Sequence, residues 1–496
     1  MKGDSEPMRV FLRLCTTVVS LVLIACGAVP LAAANTPAPR WDSDSMARFR
    51  PDPTGDPYLD RHFATTAAMA DGTVLDSRQI TVLPPLALTS AFTAWQAWFK
   101  TSAADGAPIA ALTTVLKPDA WNGRIVSNNF AIDGLGPTCN PSYQLTNSVS
   151  IEEPDVTRQL LERGYAVVLT DYEGPLMAYG HGPTEGREVL DGIRAALRLP
   201  EAGLSGPIAL LGYSGGAIAT VWAAQLAPEY APELDLVGAA AGGTPTDLSL
   251  LPATMDGRPP GSAFYLLGAL GVARATPGAL NLLNPLGAEL AERFRNACVY
   301  TGLAFAGVPL PVQALTEGNP YDTEVVRKMF RDTRPGAQVP RAPIYFWHGS
   351  DDEFIPLSGV EELAREWSSR GRTRRWTCCR AAGMWHARSR PMESRPSIAG
   401  WLRRNSFSPF RRWMGNRWQT CRVHGRHGLI SIRKYHSVVS IRNTESRLPM
   451  ALSIQESEWS NAGRRPAHRC SIGACCWAGW WGRRNCSNGW GFRPRT

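Results

Sequence analysis

The apolar positions of the chain change rhythm part-way along it. Short apolar runs come first, at Ala91 to Phe99, Ile109 to Leu116 and Arg124 to Ser127, each long enough for one strand. From Tyr165 onward, strand-like runs (Tyr165 to Thr170, Ile208 to Leu211, Leu236 to Ala241, Pro343 to Trp347) alternate with helical spacing. Asp155 to Arg163 follows Pro154, which suits a helix start because its missing N–H would have no partner there. Gly186 to Leu199 sets Val189, Ile193, Ala196 and Leu197 on one face, and Ala217 to Leu226 is a third helical pattern. Antiparallel-looking strands followed by β-α alternation predict an α/β fold on a mostly parallel sheet. Leu248 to Gln338 breaks the alternation; it is Leu-, Ala-, Gly- and Pro-rich with helical pieces, and is predicted to be an insert (248–338) covering one end of the sheet. Residues 35–85, rich in Pro, Asp and Ala, read as an extended arm, and no internal repeat is present.

The N-terminus changes the compartment. Arg9 and Arg13 precede the apolar run Val18 to Ala25, and Ala32-Ala33-Ala34 supplies an A-x-A cleavage pattern, so residues 1–34 are predicted to be a signal peptide. Leu23-Ile24-Ala25-Cys26 also fits a bacterial lipobox, which would leave a lipoprotein anchored through Cys26. Against that reading, the apolar stretch continues past Cys26, where a mature lipoprotein usually turns polar. The run is too short to span a bilayer. Export makes the cysteines informative. Apart from Cys15 and Cys26, only Cys139 and Cys298 precede Arg370, and in an exported body they read as one disulfide or as two buried free thiols.

Charge divides the 496 residues unevenly. From Arg370 to the end there are 26 Lys+Arg against 4 Asp+Glu, leaving 26 against 39 before it. The body is acidic and spans 35–247 and 339–405 around the insert, while residues 406–496 form a basic appendix. Eleven of the 17 tryptophans and seven of the 11 cysteines lie at or beyond Trp367. Interleaved Arg and aromatics suit nucleic acid or anionic lipid. A metal site would need paired CxxC spacing with matching histidines, which is absent. A third reading explains Arg, Trp, Cys and Gly together with a near absence of Lys: out-of-frame coding sequence of a GC-rich gene. On that reading the appendix is disordered and no nucleic-acid partner is expected.

The candidate chemistry starts at Gly212-Tyr213-Ser214-Gly215-Gly216, where a strand runs directly into a helix. Such a turn is too tight for a Cβ two places either side of the serine, and it exposes the hydroxyl beside the helix N-terminus. Ser214 is the candidate nucleophile; an ordinary βα turn with small residues is the bland alternative. A nucleophilic serine needs a base, and the base needs an orienting acid, here in the order Ser, Asp or Glu, His. In His348-Gly349-Ser350-Asp351-Asp352-Glu353-Phe354-Ile355-Pro356 the spacing H-G-x-x-D-x-x-[IV]-P selects Asp352, with Asp351 and Glu353 as solvated neighbours and His348 structural. His386, in Ala382-Gly383-Met384-Trp385-His386, is the only histidine between Asp352 and the appendix, and so is the candidate base or else an unrelated exposed residue. Pro396 to Arg403 suits a closing helix. The strand expected between acid and base is missing, because Arg372 to Arg380 reads RTRRWTCCR with no alternating apolar face.

GYSGGAIATVWAAQLAPEYAPELDLVGAAAGGTPTDL (212–248), TDYEG (170–174), LDGIRAAL (190–197) and TCNPSYQL (138–145) resemble the lipase-A-like secretory lipases over roughly residues 50 to 365. The resemblance implies an α/β-hydrolase fold, a helical lid before the acid-bearing strand, and hydrolysis of acylglycerols or other carboxylic esters at a lipid interface met through that lid. It further implies an oxyanion hole from the backbone N–H groups of Gly215 and Asp133, and a disulfide from Cys139 to Cys298 tying the oxyanion loop to the lid. It implies no metal or cofactor. The chain departs from the family in having Gly215 where Gln is frequent after the nucleophile, and in everything beyond Gly371. Two other functions fit the same residues: an acyltransferase on this scaffold, and a catalytically impaired hydrolase-like binding protein.

Overall fold

The period-two alternation of the apolar runs is spent on two faces of one sheet. In a computed structural model, which describes residues 47–83, 91–103, 105–147, 154–370, 375–379, 430–434 and 437–441, the strands are β1 (Val74–Ile80), β2 (Phe92–Ser102), β3 (Pro108–Pro118), β4 (Ile125–Asn129), β5 (Ala166–Thr170), β6 (Ile208–Tyr213), β7 (Leu236–Gly242), β8 (Ile344–Gly349) and β9 (Arg375–Cys379). Their order in the sheet is β1-β2-β3-β5-β4-β6-β7-β8-β9. The pairs from β1 to β5 are antiparallel, and those from β5 onward are parallel. Val168, Leu210, Ala241 and Phe346 face one layer, while Val167, Leu169, Leu211 and Tyr345 face the other. Both faces are covered, as a parallel sheet requires.

Helix α1 (Pro141–Asn147) precedes α2 (Pro154–Glu162), which presses Leu160 and Leu161 onto the second face. Helices α3 (Gly182–Arg198) and α4 (Gly215–Tyr230) cover the first face through Val189, Ile193, Ala217, Val221 and Ala224. Because α4 is sandwiched, every residue from Gly215 to Gln225 is buried, and the alanines let it approach the sheet closely. It runs past the predicted end at Leu226 and carries Pro228 in its last turn, where the ring removes one backbone hydrogen bond close to the helix end without breaking the helix. Between β7 and β8 the described chain is helical: α5 (Pro252–Met255), α6 (Ser262–Ala275), α7 (Pro285–Arg293), α8 (Val299–Ala304) and α9 (Glu324–Asp332), joined by short 3-10 turns. After β8 comes α10 (Leu357–Ser369), whose Val360, Leu363 and Trp367 return to the first face.

Two expectations need correction. Val74–Ile80 lies within the stretch read as an arm, yet it pairs with β2 as the sheet's edge. Its sequence VLDSRQI has no clean alternation, because its side chains are only partly buried. Residues 47–73 otherwise contain no strand. The strand read as missing after the acid loop is present as β9, parallel to β8 with Tyr345 opposite Arg375 and Gly349 opposite Cys379. Backbone pairing with β8 sets this strand, and an apolar alternation is not required for that. The chain from Arg412 is a unit of its own. Among its described residues, β10 (Ile430–Lys434) and β11 (Ser437–Ile441) form an antiparallel pair.

Candidate active site

The turn from β6 into α4 shows why glycine flanks the serine. A Cβ on Gly212 would stand 2.1 Å from the Gly216 carbonyl oxygen, and one on Gly216 would stand 2.0 Å from that of Asn129. Ser214 itself has φ 54 and ψ −122, a conformation that costs a non-glycine residue about 1–3 kcal/mol. The surrounding backbone holds it there: its N–H donates to Gly242 O at 2.9 Å, and its carbonyl accepts from Ala217 N at 2.9 Å. Ser214 occupies the N-cap of α4, but its hydroxyl makes no capping hydrogen bond.

The loop after β4 crosses directly over this turn. Asp133, at φ 45, places its Oδ1 1.9 Å from where a Cβ on Gly215 would stand. Any side chain after the nucleophile would displace that carboxyl, which accounts for glycine at 215. Tyr172, next after Asp171 at the end of β5, donates its hydroxyl to Phe130 O and accepts from Ile132 N at 3.4 Å. The Tyr179 hydroxyl bonds the Asp133 carboxyl. Nothing in the sequence alone singles out Tyr172 or Tyr179 for this contact. TDYEG marked the resemblance, but which loop its tyrosine braces is set by the pairing of β4 with β5.

Asp352 lies in the loop after β8. Its Oδ1 accepts from Phe354 N at 3.1 Å and from Ile355 N at 2.9 Å. Its Oδ2 is buried and has no hydrogen-bond partner among the described residues. Burial raises its pKa, and the two backbone N–H groups and the nearby His348 oppose that rise. Asp351 and Glu353 are exposed. His348 is fully buried, with Nε2 on Ile355 O at 2.9 Å and 3.6 Å from Asp352 Oδ2, so it braces the loop from below. The insert closes the loop from above, where Thr254 Oγ1 donates to Phe354 O at 2.6 Å and Phe354 and Ile355 pack with Met255 and Tyr265. Ser214 and Asp352 therefore lie at the same end of the parallel strands, with β7 between their strands. His386 and Cys26 lie outside the described residues. Cys139 and Cys298 are disulfide-bonded, joining the chain just after the Asp133 loop to the helical insert.

Carboxyls crowd the floor of the site. Burial raises Glu173, Glu185 and Glu188 well above the ordinary range, and the neighbouring carboxylates add to it. Asp171, held by Ser142 N and Oγ, is pushed up to about 7 by burial. In the pH range between their unfolded and folded pKa values, the folded chain holds protons that the unfolded chain has released. Stability from these groups is thus greatest near pH 4 and falls as pH rises. His181 acts oppositely: burial lowers it to about 4, so its contribution is lost as pH falls from 6.5 toward 4. One histidine stands against four carboxyls. The melting temperature at pH 5.5 is expected to exceed that at pH 8.5 by more than the roughly 2–4 °C that 1 kcal/mol represents in a large domain. A scan that rises between those values would contradict this.

The family profile described as secretory lipase matches residues 140–403, just over half of the chain. The chain belongs to the secretory lipase family. That makes it a carboxylic-ester hydrolase by family. This secretory lipase is similar to a secreted triacylglycerol lipase of Malassezia globosa, 30% identical over 71% of this chain and 77% of that one. It is also 32% identical to a probable inactive lipase of Mycobacterium tuberculosis, over 60% of this chain and 71% of that one. Among solved structures, Candida antarctica lipase A in its closed state superposes with TM-score 0.64 at 27% identity, covering 72% of this chain and 87% of that one.

Proposed function

We propose that this secretory lipase is an extracellular acylglycerol hydrolase working through a Ser214–His386–Asp352 triad and an acyl-enzyme. The observation that carries the reading is the strained turn at Ser214, which presents a serine hydroxyl unused by capping at the N-terminus of a buried helix. Ser214 attacks the ester carbonyl, His386 takes the proton and returns it to the leaving alcohol, and Asp352 Oδ2 accepts from the imidazole. The orphaned, buried Oδ2 supports this role, because such an acceptor is costly unless a donor reaches it. The N–H groups of Gly215 and Asp133 receive the oxyanion, supported by the close approach of their two segments. The helical insert serves as the lid and meets the lipid interface. Relatives named as secreted triacylglycerol lipases support both the substrate class and the extracellular location.

A fluorophosphonate probe tests this, because only an activated serine reacts with it. Labelling of the purified full chain at Ser214 is expected. A full chain that takes no label, yet is folded, would support the second reading, an impaired hydrolase-like binding protein. That reading is favoured by the relative named as a probable inactive lipase.

A further inference from the structure

Arg274 is a half-buried cation in the last turn of α6, and its partners lie on three different segments. Its Nη1 donates to Leu135 O at 2.7 Å and to Leu176 O at 3.1 Å, and its Nη2 donates to Arg295 O at 2.7 Å. Leu135 closes the loop that carries Asp133. Leu176 follows the TDYEG segment, and Arg295 precedes Cys298. Burial brings the guanidinium down to about 10, so it remains charged at neutral pH. A partly desolvated charge is favoured by oriented dipoles around it, and the three carbonyls provide them. The contact is doubled, since Leu135 N donates to Ala297 O at 2.8 Å. On its other side, the same loop is held from the core by the Tyr172 hydroxyl.

We infer that Arg274 is a positioning residue for the oxyanion hole, fixing the Ala131–Leu135 loop to the lid so that the Asp133 N–H keeps its aim only while the lid end of α6 is docked. The inference rests on the oxyanion role proposed above for Asp133. A loop carrying a positive-φ residue beside the nucleophile has no regular secondary structure of its own to hold it, so its geometry comes from its anchors. Tyr172 restrains its beginning, and Arg274 together with the Leu135–Ala297 backbone bond restrains its end. Loss of the second anchor leaves substrate binding largely intact, because Arg274 touches backbone and not the ester. The developing oxyanion then meets a donor that is no longer fixed in place.

The test compares Arg274→Gln and Arg274→Lys with Asp52→Ala in the full-length protein. Asp52 pairs with Arg295 and Asn296 and thus joins the arm to the same part of the insert without touching the oxyanion loop. For Arg274→Gln, kcat is expected to fall by about 10²-fold, as when an oxyanion donor is lost, with KM within about twofold. Affinity for an aryl boronic acid should fall by the same factor. In that adduct Ser214 Oγ bonds to boron, its proton leaves to the general base, and one boronate oxygen takes the oxyanion position. Amide exchange at residues 131–136 should quicken in the same variant. Asp52→Ala should leave kcat, boronate affinity and that exchange unchanged. An unchanged kcat in Arg274→Gln, or a lowered kcat with unchanged boronate affinity and exchange, would overturn the inference. If the glutamine variant does not fold, the lysine variant carries the same outcomes, since it keeps the charge but reaches fewer carbonyls. Failure of the underlying reading shows differently: wild type itself would neither turn over esters nor bind the boronate, while the exchange comparison would still report on the anchor.

Discussion

Alanine at position 214 is expected to lower kcat for p-nitrophenyl butyrate by on the order of 10⁴–10⁶, with KM little changed. The reason is local. The bonds that hold the turn run through the Ser214 backbone, to Gly242 and Ala217, and survive the substitution. Only the attacking oxygen is removed. Alanine tolerates φ 54 no better than serine does, so the melting temperature should stay within about 2 °C of wild type. Glycine at the same position should be equally inactive yet more stable, since it relieves about 1–3 kcal/mol of backbone strain. Purified Ser214→Ala that hydrolyses the ester at the wild-type rate would sink the assignment.

The second large effect is expected at Asp352. Asparagine keeps the oxygen that accepts from Phe354 and Ile355, so the loop should hold its shape. It replaces Oδ2 with an amide that donates where the histidine must also donate. The imidazole then adopts the wrong tautomer, and kcat should fall by about 10⁴-fold. Asp351→Asn, in the exposed neighbour, should change kcat by less than about twofold, because its charge is solvated. Equal losses in the two variants would remove Asp352 from its proposed role.

How much of this was legible in the chain depends on how each feature is encoded. β5, β6, β7 and β8 are readable because they are mostly buried and apolar, and their ends come within a few residues of the runs in the sequence; β4 shows only through Ile125 and Val126, since Ser127, Asn128 and Asn129 are buried polar residues. β1 was not, because an edge strand with one solvated side needs no repeating pattern. β9 escapes the pattern for a related reason: RWTCC has no apolar alternation, whereas its pairing with β8 is a matter of backbone. Within the site, a tight turn constrains residue type at neighbouring positions, so the glycines around Ser214 stand out in one dimension. The spacing HGxxDxxIP singles out Asp352 among three adjacent acids, and the structure buries the side chain of that one and exposes the others. Tyr172, Tyr179 and Arg274 had no such signature. Each acts on a loop distant in sequence, and an arginine on an alanine-rich helix reads as an ordinary solvated residue until its three carbonyl partners are seen.

The bond between Cys139 and Cys298 has a consequence for where the molecule can be finished. It spans 159 residues of chain, including β5, β6 and β7, and fastens the insert beside the Ala131–Leu135 loop. A reducing cytosol leaves both thiols open, so chains there lack one of the ties between insert and loop. Oxidation after translocation supplies it. The tie between the insert and the Ala131–Leu135 loop is therefore one that only an oxidising compartment can complete.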